Sequence, residues 1–241
     1  MSGGVGPTCG DISLPKEEEE HHLDVTAGKP QKKSAHRGFL RFRQLNALAV
    51  IIIFSASGMV SVQDFGFSLF CLLYVFFLSK FAFPSLSPSA EPPVFGEKNK
   101  LLFLYSFLGA LIGLFLPIAY IFEGILEDDK KGIKASAPHV FLLSCQVFME
   151  GLTSSGGFSV PIQVFVPVFY NTRRIFTIVD WLRSEIAKVD QEESGSTRRM
   201  YVGNGLAVAN LAFWCFNLFG FVVPVYLPRA FKAYYGYKVK A

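Results

Sequence analysis

Apolar residues along this chain are gathered into long blocks separated by short polar stretches, rather than recurring at every third or fourth position as on a water-soluble helix. A block of about 18 or more residues with few charges is long enough to cross the roughly 30 Å hydrocarbon layer of a bilayer as a helix. The first such block is residues 45–62, LNALAVIIIFSASGMVSV, and residues 65–83 follow almost at once. This predicts an antiparallel helical hairpin turning at Asp64, with Lys80 close enough to the second end for its amine to reach the headgroups. The proline-rich loop PSLSPSAEPPVFGEKNK, residues 84–100, cannot continue a helix. Residues 101–122 then form an uncharged block that predicts a third span, kinked at Pro117.

From Ala135 to Thr172 the only formal charge is Glu150. One helix of those 38 residues would be about 57 Å long, far more than the hydrocarbon thickness, so the segment must break or leave the membrane. SSGG, Ser154 to Gly157, is the natural break; it predicts a fourth span at 137–155 and a new helix from near Phe158 with Pro161 in its first turn. Residues 158–189 are read as re-entrant or interfacial, leaving the membrane through Arg173 and Arg174. Beyond them the pattern is amphipathic, with Ile175, Ile178, Val179, Leu182, Ile186 and Val189 on one face and Arg173, Arg174, Asp180, Arg183, Glu185 and Lys188 on the rest. Residues 201–223 make a fifth span. The expected fold is therefore all-α: a polytopic helical membrane protein of about five transmembrane helices, within a range of four to six, plus one amphipathic cytosolic helix.

Composition agrees, since 17% of residues are charged against about 25% in ordinary soluble domains. Residues 1–38, which include KEEEEHHLD, are too polar to build a core and are expected to be a disordered tail; residues 39–235 hold the helical domain and 236–241 a short C-terminal tail. The tail has neither the apolar core of a secretory signal nor the acid-poor character of a transit peptide, so the first span is expected to direct insertion. Lys32, Lys33, Arg37, Arg41 and Arg43 flank that span without an intervening acid, which suits acidic lipid headgroups and predicts a cytosolic N-terminus. Five spans then leave Arg229, Lys232, Lys238 and Lys240 on the far side, whereas a sixth would expose Arg173, Arg174, Arg183, Lys188, Arg198 and Arg199 there.

Glu150, with Gln146 and Ser154 nearby, is the candidate intramembrane polar site, because a carboxylate within an apolar stretch is costly to keep. The competing reading makes Glu150 an interfacial residue beside the SSGG break. His139 lies eleven residues earlier, about 16 Å along a helix, and cannot share a metal with it. Cys9, Cys71, Cys145 and Cys215 form no C-x-x-C pair, and no H-E-x-x-H, G-x-S-x-G or P-loop is present. No enzyme activity, cofactor, metal or nucleic-acid partner is therefore expected. Gly109 with Gly113, and Gly203 with Ala207, offer small faces for close helix packing, and Asn210 and Asn217 share a face from which each amide needs a partner on another helix. GFSVPI at 157–162 and GFVVPV at 220–225 form a short internal echo, of the kind that marks repeated halves in transporters.

The stretches FRQLNALAVIIIFSASGMVS, QVFMEGLTSSGGFSVPIQVFVPVFYNTRRIFTIVDWLRSEI and NLAFWCFNLFGFVVPVYLPRAFKAYY resemble a plant family of small multi-pass membrane proteins classed as a domain of unknown function, over residues 39 to about 235. The resemblance implies an integral membrane location and supplies no activity, cofactor or site residue. The function expected is that of a non-enzymatic structural, scaffold or lipid- and partner-interacting membrane component. The alternative is a small-solute or ion transporter with Glu150 as its coupling acid.

Overall fold

The structure, a computed structural model, describes residues 44–55, 57–86, 94, 100–155, 157–190 and 197–239. The N-terminal tail, its basic cluster, Cys9 and most of the 84–100 and 190–199 connections lie outside the described residues. What is described is helical, with no strand among the described residues. We label the helices α1 (Gln44–Ser55), α2 (Val62–Phe81), α3 (Lys100–Leu126), α4 (Lys130–Ser155) and α5 (Val160–Asp190). The last, α6, begins as Thr197–Cys215, passes through a π-helical stretch at Phe216–Tyr226 and ends as Leu227–Lys238. Three helices are long and apolar enough to cross a membrane: α2, α3 and α6 over Thr197–Gly236.

Cross-helix bonds define the two ends of the bundle. At one end, Lys188 of α5 and Arg199 of α6 both reach Asp129, between α3 and α4, at 3.0 and 2.8 Å. At the other, Ser159 before α5 donates to the carbonyl of Phe83 after α2, and Tyr234 of α6 donates to that of Pro84. Gln44, which opens α1, lies against Gly151 near the end of α4. The helices therefore alternate in direction, and the two ends of the described chain fall at the same end of the bundle.

Polarity is distributed inversely to that of a water-soluble bundle. Asp64, His139, Arg174, Glu185, Arg199 and Asn210 are buried, while Phe65, Phe70, Phe77, Phe107, Phe115 and Phe219 are exposed. The central pair is α4 and α5, which contain more polar residues than α2 or α3 and yet hold most of the core, including Ala137, Val140, Leu142, Ile162 and Val166.

Three local features differ from the sequence expectations. The turn between the first two helices is made by residues near Gly58 (φ +68°) and not by Asp64. Asp64 instead sits in the first turn of α2, capped by Ser61, whose hydroxyl oxygen accepts from the Asp64 amide at 3.1 Å and whose proton goes to the carboxylate at 2.7 Å. In α3 the distortion precedes the proline: residues Leu111–Phe115 form a π turn ahead of Pro117. Finally, α5 is one helix from Val160 to Asp190, with no division at Arg173 and Arg174, and its polar residues divide: Arg174 and Glu185 face inward while Asp180 and Arg183 stay exposed. Arg174 and Glu185 are each 0% exposed, whereas Phe176 is 59% and Ile186 49% exposed. The faces expected from the sequence are therefore each split, since Arg174, Glu185 and Ile178 are buried while Asp180, Arg183 and Ile186 are exposed.

The SSGG break does fall where the helix ends, with Gly157 at φ +70°, a left-handed turn that glycine adopts without strain, and Pro161 in the first turn of α5. Its echo behaves differently, because Gly220 and Pro224 lie inside the π stretch of α6. The two segments share letters but not a backbone conformation.

Candidate functional site

The interior polar groups form a column along α5. Asn171, Arg174, Trp181, Glu185 and Lys188 recur at intervals of three, seven, four and three residues, which keeps them on one helical face. Arg174 donates to the amide oxygen of Asn171, and its guanidinium lies 3.7 Å from the centre of the Trp214 ring of α6. Asn171 donates in turn to Asn217, whose own amide donates to the Tyr105 hydroxyl at 2.6 Å. Nε and Nη1 of Arg174 are buried without a hydrogen-bond partner.

The middle of the column depends on the proline of α3. In the π turn the Leu116 amide bonds to Leu111, five residues back, and Pro117 has no N–H to give. The carbonyls of Ile112 and Gly113 thereby lose their helical donors. Asn210 of α6 donates to Ile112 at 3.0 Å, and Nε2 of His139, on α4, donates to Gly113 at 2.8 Å. A carbonyl only accepts, so this bond places a proton on Nε2.

At the Asp129 end the network is ionic. Glu185 accepts from Tyr120 at 2.8 Å, from Trp181 at 3.2 Å and from Lys188 at 3.0 Å. Arg199 lies over the Tyr120 ring at 4.0 Å, donates to the Tyr120 carbonyl at 2.9 Å and pairs with Asp129 at 2.8 Å. Burial alone would raise the Asp129 pKa. The Gly132 amide, Arg199 and Lys188 outweigh it and hold the carboxyl below its usual value. Gly203 admits this cluster, since a Cβ there would come within 2.7 Å of the Tyr120 hydroxyl and 2.8 Å of a Glu185 oxygen.

Glu150 belongs to a separate place. It borders a cavity of about 280 Å³ between α1, α4, α5 and α6, with Gln44, Ser154, Gln163, Pro167 and Tyr226 among its walls. Gln146 is buried behind it and donates to Glu150 at 2.7 Å. The carboxylate and the Arg174 guanidinium act on each other electrostatically. Glu150, Gln146 and Ser154 are thus brought together, although Gln146 is not on the cavity wall.

The family described as domain of unknown function DUF7733 matches residues 40–235. The chain belongs to that family. No curated protein and no solved structure matches the chain. Within the DUF7733 domain, the small residues singled out for packing lie at contacts between helices. A Cβ on Gly109 would meet Phe213 at 3.1 Å, one on Gly113 would meet Trp214 at 2.6 Å, and Ala207 is wholly buried beside Tyr120 and Trp181. Asn210 and Asn217 reach α3 and α5 through the bonds given above. Among the described residues no group of His, Cys, Asp and Glu is arranged to hold a metal.

Sequence reasoning missed Arg174, Glu185, Tyr120 and Arg199 as parts of one interior network of the DUF7733 domain. The available signal was the spacing of Asn171, Arg174, Trp181, Glu185 and Lys188 on one face, which the basic pair at Arg173 and Arg174 disguised as a membrane exit. Arg173 does pair near a helix end, with Asp64 at 2.8 Å.

Proposed function

We propose that this member of the DUF7733 family is a multi-pass integral membrane protein with no enzymatic role, which packs with lipids and with membrane partners. The observation that carries the reading is the inverted polarity, with phenylalanines such as Phe107, Phe115 and Phe219 outside and Arg174, Glu185 and Asn210 inside. Such a surface is stable against hydrocarbon and unfavourable against water. On this reading α4 and α5 cross as a sheltered central pair, surrounded by the apolar α2, α3 and α6. Both α4 and α5 extend from one end of the bundle to the other, which favours six helices in alternation over five crossings with a re-entrant segment.

Six alternating helices also ease the charge conflict seen in the sequence. Arg229, Lys232 and Lys238 then share the cytosolic end with Gln44, the residue that opens α1 and that follows the basic stretch in the sequence. Arg173, Lys188, Arg198 and Arg199 fall at the other end, where Asp64, Glu185, Glu123 and Asp129 pair with them.

Single cysteines in a cysteine-free background test the arrangement in sealed vesicles. Arg43→Cys and Lys238→Cys are expected to react from the cytosolic side, and Asp128→Cys only from the other. Labelling of Arg43→Cys and Lys238→Cys from opposite sides would refute the six-helix arrangement. Mild crosslinking in native membranes tests the packing role: a discrete adduct is expected, and a monomer without adducts would remove it. The cavity beside Glu150 favours a second reading, a small-solute or ion transporter in which that carboxylate is the coupling acid. Glu150→Gln is then expected to abolish flux in proteoliposomes.

A further inference from the structure

The seam between α3 and α6 is closed along one half and open along the other. Around Gly109 and Gly113 it is filled, since a Cβ on those glycines would meet Phe213 at 3.1 Å and Trp214 at 2.6 Å. Toward the Asp129 end the residues along it are small. Ala119 of α3 and Gly205 and Ala209 of α6 are exposed, and a Cβ on Gly205 would meet nothing within 4 Å. The result is a groove of about 620 Å³, with Leu116, Leu126, Val202 and Leu206 among its walls. The opening belongs to one face of α6, because Gly203 on the inward face is packed against Tyr120 and Glu185.

Length narrows the occupant. Leu116 to Leu126 is about 15 Å at ~1.5 Å per residue, half of the roughly 30 Å hydrocarbon, so the groove has the depth of one leaflet. A helix from a second copy would run through both leaflets and lose its seat where Phe213 fills the seam. The connection before α6, QEESGS at 191–196, has no apolar side chain with which to fill an apolar groove. Charge narrows it further. Glu123, in the groove wall, accepts from Arg198 at 3.2 Å and lies 3.6 Å from Arg199. Arg198 is 81% and Glu123 29% exposed, so the pair presents both signs of charge at the end of the groove. Arg198, Val202, Gly205 and Ala209 recur at four, three and four residues, which puts the guanidinium on the same helical face as the groove floor.

A headgroup that carries both a phosphate and an ammonium matches such an end, with phosphate to Arg198 and ammonium to Glu123. A primary ammonium donates hydrogen bonds to a carboxylate, and a quaternary ammonium has none to give. We propose that the groove is a binding site for one zwitterionic phospholipid of the phosphatidylethanolamine class, with its acyl chains over Gly205 and Ala209 and its headgroup at Glu123 and Arg198. The inference rests on the membrane reading above and deepens it by naming a lipid class and its seat. The open space beside Gly205 makes the site separable from the fold. Gly205→Leu fills the groove from α6 and Ala119→Leu fills it from α3, while Arg198→Gln removes the phosphate partner and leaves Glu123 with Arg199.

The test uses the full chain, delipidated in detergent, exposed to dioleoyl phosphatidylethanolamine, phosphatidylcholine, phosphatidylglycerol or cholesterol, and read by native mass spectrometry. One phosphatidylethanolamine per chain is expected to be retained after the other three are stripped. Gly205→Leu should lower that occupancy about tenfold, and Arg198→Gln should bring phosphatidylethanolamine down to the level of cholesterol. Equal retention of any of the other three lipids, or occupancy unchanged in Gly205→Leu, would overturn the assignment. A dimer that Gly205→Leu converts to monomer, with no lipid retained, would give the groove to a second copy instead. Should Gly205→Leu fail to fold, Ala119→Leu decides from the opposite wall, and unchanged occupancy there counts against the site. A native chain that resists alkaline carbonate extraction from vesicles but keeps no lipid defeats this inference alone. Release of the chain by carbonate defeats the membrane reading beneath it.

Discussion

The outer helices and the central pair follow opposite rules. In α3 the run from Leu101 to Phe122 is uncharged, and yet Phe103, Phe107, Phe115 and Phe122 all face outward. In α5 the sequence is punctuated by Arg174, Glu185 and Lys188, and those residues face inward toward α3, α4 and α6. Apolar content therefore does not indicate burial in this chain; it indicates what lies on the far side of the surface. The central pair can carry charge because its neighbours supply partners; on the membrane reading proposed above, the outer helices must be apolar because a bilayer supplies none.

The comparison is broken most severely from the inside. Glu185→Ala strands the Tyr120 hydroxyl and the Trp181 N–H and leaves the Lys188 amine with Asp129 alone, and removing one partner of a buried ionic network costs about 3–5 kcal/mol. Denaturant unfolding in bicelles would register that loss, and a change under about 1 kcal/mol would mean that the network does not hold α3, α5 and α6 together. From the outside, Phe115→Arg places a charge near the middle of α3. Insertion scales set that at about 3 kcal/mol in hydrocarbon. A glycosylation reporter for α3 should show reduced insertion, and normal insertion with improved aqueous solubility would mean that this face meets water.

The seam between the two regions is tested by Gly113→Ala, whose new methyl would lie 2.6 Å from the Trp214 ring and 3.1 Å from Leu143. Overpacking of this kind costs about 1–3 kcal/mol, measurable as a lowered midpoint; an unchanged midpoint would mean that Trp214 moves aside freely. A smaller effect is expected at Asp129. Its folded pKa is lowered, so its ion pairs contribute stability above the unfolded value, and that contribution disappears as pH falls through the folded value. Thermal melts from pH 6 toward pH 3 should decline for the native chain and flatten for Asp129→Asn; parallel curves would assign the acid sensitivity elsewhere. Smallest is Arg183→Ala, on the exposed side of α5, where a 3.5 Å pair with Asp180 is worth under about 0.5 kcal/mol.

Much of this architecture was legible because the bilayer criterion is coarse and strong. The block at 101–122, the helix end at SSGG and the need of Asn210 and Asn217 for partners on other helices could all be argued from length, glycine chemistry and amide chemistry. The interior of α5 could not. Its periodicity marks two faces without saying which solvent each one meets, and Arg173 and Arg174 differ in fate by one step of about 100° around the helix. Arg173 turns to Asp64, while Arg174 turns to Asn171 and the Trp214 ring. The π turn was hidden for a different reason. A proline announces a disturbance, but the direction in which its freed carbonyls are satisfied depends on His139 and Asn210, far away in the chain. Glu150 was visible by its charge, whereas its cavity depended on α1 and α6 arriving beside it.

The partnership of Arg174 with α6 has a consequence for biogenesis. Helices leave the ribosome in chain order, and α5 is made before Trp214 and Asn217 exist. Until α6 emerges, the guanidinium and the Asn171 amide lack the groups that shelter them, and Asp129 has Lys188 but not yet Arg199. On the membrane reading, α4 and α5 cannot settle one at a time into lipid. On that reading both wait for α6, whose arrival brings Trp214, Asn217 and Arg199 to the interior network and so sets the moment at which the buried charges are sheltered.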